Sequence, residues 1–434
     1  MNQQQAAQAV LNRINETQDG LIAFLGEYLR FASVNPEMSH DGSKTDMTRC
    51  QLWLRDRLAE WSAFDEVRTL AKDSEQPNVV GRRRGTGSGP SLLFNGHSDV
   101  VPVTNEQAAA WTGPGPWSGQ LADGKIWGRG ASDMKGGNAA FLWAIKSLAE
   151  VGVSLRGDLI ATLVVGEETG NHTIGVDLLA ENGVTAPFAV LAEPTDLSLC
   201  PASVGEFYFL LHVDGLSTSL ANRHLSIHPA AYGEPVHGVN AIDKMWKIQA
   251  ALYNLEREWG VWQRHPLMAS GNMNINFSRL HAGDTYSAMA ESCELTGSVL
   301  FNPSLRFTDV LDEFRRAIDQ VAATDYWLRD HPPILTVPYV LEQKEPINVP
   351  AGHPGCQALI RACQQVTGKE PHIGCSTATS DGNYLYARGQ NIVTFGPGLE
   401  SAGVHGSNEY IGVDNLIKAC KVYAVMAIEW CGLA

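Results

Sequence analysis

Apolar positions recur every three to four residues over 5–31 and 45–62, a spacing that predicts two amphipathic helices near the N-terminus. Short, continuously apolar runs follow, among them PNVVGRR, SLLFNGHSD, DLIATLVVG and PFAVLAEP, with a helical stretch over 136–152 between two of them. Such strands alternating with helices predict an α/β fold whose central, mainly parallel sheet is covered on both faces. Near residue 206 the pattern changes: GEFYFLLHVDG alternates apolar and polar, as a strand with one exposed face does. A His- and Pro-rich loop (222–237), a helix (240–259), the strands MNINFSRL and CELTGSVLF, a helix (SLRFTDVLDEFRRAIDQVAA) and the strand PILTVPYVLE complete a β-α-β-β-α-β order. That order predicts a ferredoxin-like α+β domain. The chain then returns to buried patterns: PGCQALIRACQQVTG, NIVTFGPG and NLIKACKVYAVMAIEWC. The first domain is thus read as discontinuous, 1–205 with 343–434, and 206–342 as an insertion.

A length of 434 residues agrees with two domains. The net charge of −15 argues against nucleic acid or an anionic membrane as partner. The first twenty residues lack the apolar core of a signal peptide, and no run reaches the ~18–20 apolar residues of a membrane span. The eight cysteines are dispersed without a C-x-x-C, as expected of reduced thiols in the cytoplasm.

Chemistry concentrates where apolar strands end. His97 closes SLLFNGHSD, Asp133 stands in WGRGASDMKGG, Glu168 in LVVGEETG and Glu193 in VLAEPTD, while His405 lies in the glycine-rich loop after VTFGPG. Singly, each has a plainer explanation: a strand-end histidine, a helix-capping aspartate, solvated acids in a loop. Together, two imidazoles and three carboxylates at the carboxyl ends of strands in an open α/β sheet suit a pair of Zn²⁺-like ions. Asp99, two residues beyond His97, is placed to accept a hydrogen bond from that ring. The side chains of neighbouring Glu167 and Glu168 diverge, so one can serve as ligand while the other faces the water to be activated.

The ordered set GHSDVVP, WGRGASDMKGG, EETG, AEPTD and GPG…HGSNEY resembles the M20 family of dimetal amidohydrolases and peptidases over nearly the whole chain. The resemblance implies that Asp133 bridges two divalent ions, zinc first with manganese or cobalt as alternatives. It assigns His97 and Glu193 to one ion and Glu168 and His405 to the other. It makes Glu167 the general base and Asp99 the residue that orients His97, and it places a cis peptide after Asp133. The implied activity is hydrolysis of an amide C–N bond, foremost deacylation of an N-acyl amino acid or related small amide. The inserted domain would be a lid that mediates a homodimer.

Two positions depart from the pattern. Ser219 stands where the lid motif G-x-x-x-H carries histidine, leaving His224, His228 or His237 as substitutes. Leu300 stands where many members carry a carboxylate-binding arginine, whereas Asn276 matches a substrate-contacting asparagine. These departures open two alternatives: a non-peptide C–N bond, as in an aryl amide or arylamine, or a catalytically silent binding homologue.

Overall fold

The N-terminal helical pattern breaks in two, into α1 (Gln3–Glu16) and α2 (Gln18–Leu29), rather than running unbroken over 5–31. Thr17 leaves helical geometry at φ −113°, ψ 13°, donates its hydroxyl to Arg13 O (2.8 Å) and accepts from Trp143 Nε1 (3.1 Å). A threonine that bonds back to the helix competes with the next turn. In this computed structural model, residues 1–39, 45–72, 76–224 and 236–434 are described.

Chain order continues with α3 (Met47–Glu60), β1 (Glu66–Leu70), β2 (Asn78–Arg83), β3 (Leu92–His97), the short α4 (Asn105–Ala109), β4 (Gln120–Ala122) and β5 (Lys125–Trp127). Next come α5 (Gly136–Glu150), β6 (Leu159–Val164), α6 (Val176–Glu181), β7 (Phe188–Leu191) and β8 (Leu199–Ser203). The second compact unit comprises residues 203–346 with 377–379. It holds β9 (Gly205–Asp214), α7 (Ala241–Trp262), β10 (Asn274–Ala282), β11 (Ser292–Phe301), α8 (Phe307–Thr324) and β12 (Ile334–Thr336). The first unit resumes with β13 (Ile347–Asn348), α9 (Pro354–Thr367), β14 (Ile373–Ser376), α10 (Asp381–Ala387), β15 (Ile392–Thr394), β16 (Tyr410–Gly412) and α11 (Val413–Cys431).

In the first unit the sheet order is β1-β2-β6-β3-β7-β15-β8-β13, with β14 beside β8, and the four central strands β6, β3, β7 and β15 run parallel. Every residue of β3, β6 and β7 is buried, which accounts for their uninterrupted apolar character. Helices α5 and α11 bury aromatic rings against β3. Phe94 stacks on Phe141 at 5.6 Å and meets Tyr423 edge-on at 5.2 Å, and the Tyr423 hydroxyl donates to Phe395 O (2.6 Å). Each such fully buried side chain contributes about 1.5–3 kcal/mol through burial. β3, β6 and β7 point their carboxyl ends the same way, so the loops that follow them gather at one edge.

In the second unit the order β10-β11-β9-β12 is antiparallel throughout, the ferredoxin-like arrangement. β9 alternates buried and half-buried residues along its length, with Phe207, Phe209, Leu211 and Val213 turned into this unit's own core. The last strand shrinks from PILTVPYVLE to three residues; Pro338 has no N–H to offer the ladder. All eight cysteines are unpaired, and seven are buried. No described helix is long and apolar enough to cross a membrane.

Candidate metal centre

His97 is the last residue of β3, Glu167 and Glu168 follow β6, and Glu193 follows β7, so three neighbouring parallel strands deliver four of the candidate side chains. Asp133 lies between β5 and α5, and the Asp133–Met134 peptide is cis, as the resemblance implies. Its backbone is non-helical and its carboxylate caps no helix, so the plainer capping explanation does not hold.

Asp133 faces both imidazoles. Its Oδ1 lies 3.0 Å from His97 Nε2 and its Oδ2 lies 3.1 Å from His405 Nε2. Glu193 Oε1 approaches His97 Nε2 at 3.6 Å, and Glu168 Oε2 approaches His405 Nε2 at 3.1 Å. The cluster thus has two halves, His97 with Glu193 and His405 with Glu168, sharing one carboxylate. Donor atoms of His97, Asp133 and Glu168 all lie within 4.8 Å of one another. The first half is buried, whereas the His405 side chain is 53% exposed.

This crowding perturbs every member. Burial disfavours a charged His97 ring, but the Glu193 and Asp133 carboxylates outweigh it and hold the imidazole well above its ordinary value. Hydrogen bonds to Asp133 and Glu168 push His405 up to about 10. Burial raises Glu168 to about 7 against the pull of His405, and burial with the Asp133 charge raises Glu193 strongly. Burial works against an ionised Asp133 too, yet the two imidazoles keep it below the usual carboxylate range. Glu167 lies close enough for its charge to act on His97 and Glu193.

The donor chemistry fits two divalent cations. Three carboxylates packed on two imidazoles are costly unless positive charge sits among them. Glu168 Oε1, moreover, is buried without a hydrogen-bond partner.

Asp99 works differently from expectation. His97 Nδ1 lies 2.9 Å from the backbone carbonyl of Asp99, while the Asp99 carboxylate is 3.7 Å away. Its Oδ2 instead accepts from Asn35 Nδ2 (2.9 Å), Gly166 N (3.1 Å) and Glu168 N (3.3 Å). The carbonyl therefore fixes the ring of His97 and the carboxylate fixes the loop carrying Glu167 and Glu168.

The loop carrying His405 is held from outside. His405 itself has φ +56°, a left-handed conformation that costs a non-glycine residue about 1–3 kcal/mol unless its surroundings enforce it. Gln107 Nε2 donates to His405 O (2.8 Å), and Arg129 Nη2 donates to Gly406 O (2.9 Å). Asn408 Oδ1 accepts from the N–H groups of Thr112 (2.8 Å) and Gly113 (3.0 Å). Gln107, Arg129, Asn35 and Glu409 carry no chemical signature in the sequence; the only signal for Arg129 and Glu409 is their place inside WGRGASD and HGSNEY.

The remaining candidates belong to the second unit. Asn276 is exposed on β10 and donates to Ser278 Oγ (3.2 Å). Ser219 accepts from Ala221 N (3.3 Å), and His224 is exposed, with Nδ1 3.2 Å from Ala221 O. His237 is exposed, and His228 lies outside the described residues. Leu300 is half-buried on the sheet face that the helices leave open, between Glu206 and Asn274 on the flanking strands. A groove of about 650 Å³ between α7 and α8 carries none of the donor residues.

Residues 93–429 match the model of peptidase family M20/M25/M40. The chain belongs to that family. It is 33% identical over 364 residues to the N-formyl-4-amino-5-aminomethyl-2-methylpyrimidine deformylase of Bacillus subtilis, covering 82% of this chain and 83% of the relative. Human carnosine dipeptidase 1 has the same fold, with a TM-score of 0.69 at 16% identity over 98% of each chain. So does the Bacillus subtilis YXEP protein, described as a dinuclear metal-binding peptidase of the M20 family, with a TM-score of 0.65 at 14% identity over 95% of this chain and 98% of that one. Membership of the M20 family makes this chain a hydrolase of amide C–N bonds.

Proposed function

We propose that the chain deacylates a small N-acyl amine using two divalent ions held by His97, Asp133, Glu168, Glu193 and His405. The observation that carries this reading is the shared Asp133 carboxylate, 3.0 Å from one imidazole and 3.1 Å from the other. Such ions supply an acidified water and a polarised carbonyl. Glu167 takes the proton of the attacking water and passes it to the leaving nitrogen, which spares the amine from departing as an anion. Asp99 keeps Glu167 in reach of the water by bonding the backbone on both sides of it, at Gly166 and Glu168.

Leu300 favours an amine that lacks a carboxylate over an N-acyl amino acid. An apolar side chain beside Glu206 offers an anion no cation. The name of the Bacillus subtilis relative, a deformylase of an aminomethylpyrimidine, supports the same preference. Zinc suits the mixed imidazole and carboxylate donors best, with manganese and cobalt as alternatives. Residues 1–202, 347–376 and 380–434 form the catalytic unit in this reading, and the inserted unit is the lid, with Asn276, Ser219 and His224 as its substrate-binding candidates. It is also the dimerisation unit, supported by the sheet-edge strand β10 and by Ile242, Trp246 and Tyr253 exposed on α7. Unpaired cysteines throughout support a cytoplasmic location.

The test is amine release from N-formyl, N-acetyl and N-succinyl derivatives of arylmethylamines and of amino acids, with zinc, manganese or cobalt supplied. Faster turnover of the carboxylate-free compounds is expected. A clear preference for N-acyl amino acids would return the substrate to that class.

A further inference from the structure

Among the largest fully buried side chains of the described residues is a cation, Arg129, and its partner Glu409 is buried as completely. Their bond is 2.6 Å, from Arg129 Nη1 to Glu409 Oε2. Around the pair, the hydrogen bonds end on the backbone next to candidate ligands. Glu409 Oε1 accepts from the N–H groups of Ser132 (3.0 Å) and Asp133 (3.2 Å). Arg129 Nη2 donates to Gly406 O (2.9 Å) and lies 3.5 Å from Gln107 Oε1, and Gln107 Nε2 donates to His405 O (2.8 Å).

A buried ion pair is a poor source of net stability, since apolar residues of similar volume often do as well or better. What this pair supplies is position. The pairing of β5 with β16, Trp127 opposite Tyr410, and the bond from Gly128 N to Glu409 O (3.0 Å) set the register of the two stretches. The ion pair carries that restraint past the end of the ladder to Asp133 on one side and the His405 loop on the other. His405 needs such a restraint, being half-exposed and in a left-handed conformation. His97 and Glu193 do not, because β3 and β7 already place them.

We infer that Arg129, Glu409 and Gln107 form a positioning clamp that fixes His405 against Asp133 and thereby sets the affinity of the Asp133–Glu168–His405 half of the centre. This rests on the two-ion reading above. None of the three residues touches the substrate in this scheme; they act through the ligands.

The experiment titrates Co²⁺ into metal-free protein, following visible absorption and binding heat, for the wild type and for the double variant Arg129→Met, Glu409→Gln. That variant removes both buried charges and keeps an acceptor for Asp133 N. The first ion should bind as in the wild type, and the second about 10–100-fold more weakly, the usual effect of losing support behind a ligand. The absorption of the second ion should change with it. If the double variant does not fold, Gln107→Ala, at a partly exposed side chain, is titrated instead and should weaken the second ion alone. Wild-type affinity for both ions in the folded variant overturns the clamp and leaves the metal reading intact. A wild type that binds fewer than two ions overturns the metal reading and the clamp with it.

Discussion

Asp133 gives one oxygen to each imidazole, and that single side chain determines how the cluster exchanges protons for ions. Both His97 and His405 are held above their ordinary values, His405 at about 10, so both carry protons at neutral pH when no ion is bound. An entering cation must expel them, which makes apparent affinity rise with pH through neutrality until His405 loses its proton at about 10. Zinc titrations in two buffers of different ionisation heat should therefore reveal net proton release; identical heats would contradict the protonated cluster. Glu167 is argued to move protons without binding an ion. Glu167→Ala should accordingly lose about 10²–10⁴ in turnover while its zinc content stays at the wild-type level. A variant retaining most of its rate would place the base elsewhere. At this scale the ligand types were legible because His97, Glu168 and Glu193 each close or follow an apolar strand, while Asp133 and His405 stand in glycine-rich motifs of the same ordered set. The carbonyl of Asp99 that orients His97 was not, since a sequence pattern shows side chains and not which backbone oxygen faces them. Arg129 and Glu409 were hidden for another reason, as charged residues read as surface until their partners are seen.

The elements place Glu193 by packing so closely that glycine is required on two sides. A Cβ on Gly137, in the first turn of α5, would lie 2.2 Å from Ala192 O, and one on Gly396 would lie 2.3 Å from Glu193 O. Gly137→Ala should push the end of β7 outward, lowering ion content along with a stability loss of roughly 1–3 kcal/mol. Metal analysis and thermal melting on the same sample check this, and full loading with an unchanged midpoint would refute it. The alternation of long helices with fully apolar strands made the layers readable, and the change to half-polar alternation at β9 marked the second unit. Where the pattern failed, the elements were short or interrupted. β4, β5 and β16 are three residues each; β4 and β5 form a tight hairpin too short to show a hydrophobic period, β16 joins β5 only through a contact distant in sequence, and Thr17 splits a helical pattern that hydrophobic spacing alone continues. Pro338 likewise ends a strand whose apolar composition runs on past it.

For the whole molecule, family membership and the ferredoxin-like insertion follow from pattern and motif, whereas assembly depends on surface that composition does not reveal. Trp246 is 71% exposed on α7, with Ile242 and Tyr253 on the same helix. If that face joins two copies, Trp246→Glu should convert a dimer to a monomer in sedimentation, without altering the ion content of each chain. An unchanged dimer would move the interface elsewhere. The central claim, that five side chains hold the ions on which hydrolysis depends, is tested most directly by adding zinc stepwise to metal-free protein while following amide cleavage of an N-formyl arylmethylamine. Activity should be absent with chelator, rise with added zinc and level off at two ions per chain. Wild-type cleavage by protein shown to contain no metal would contradict it.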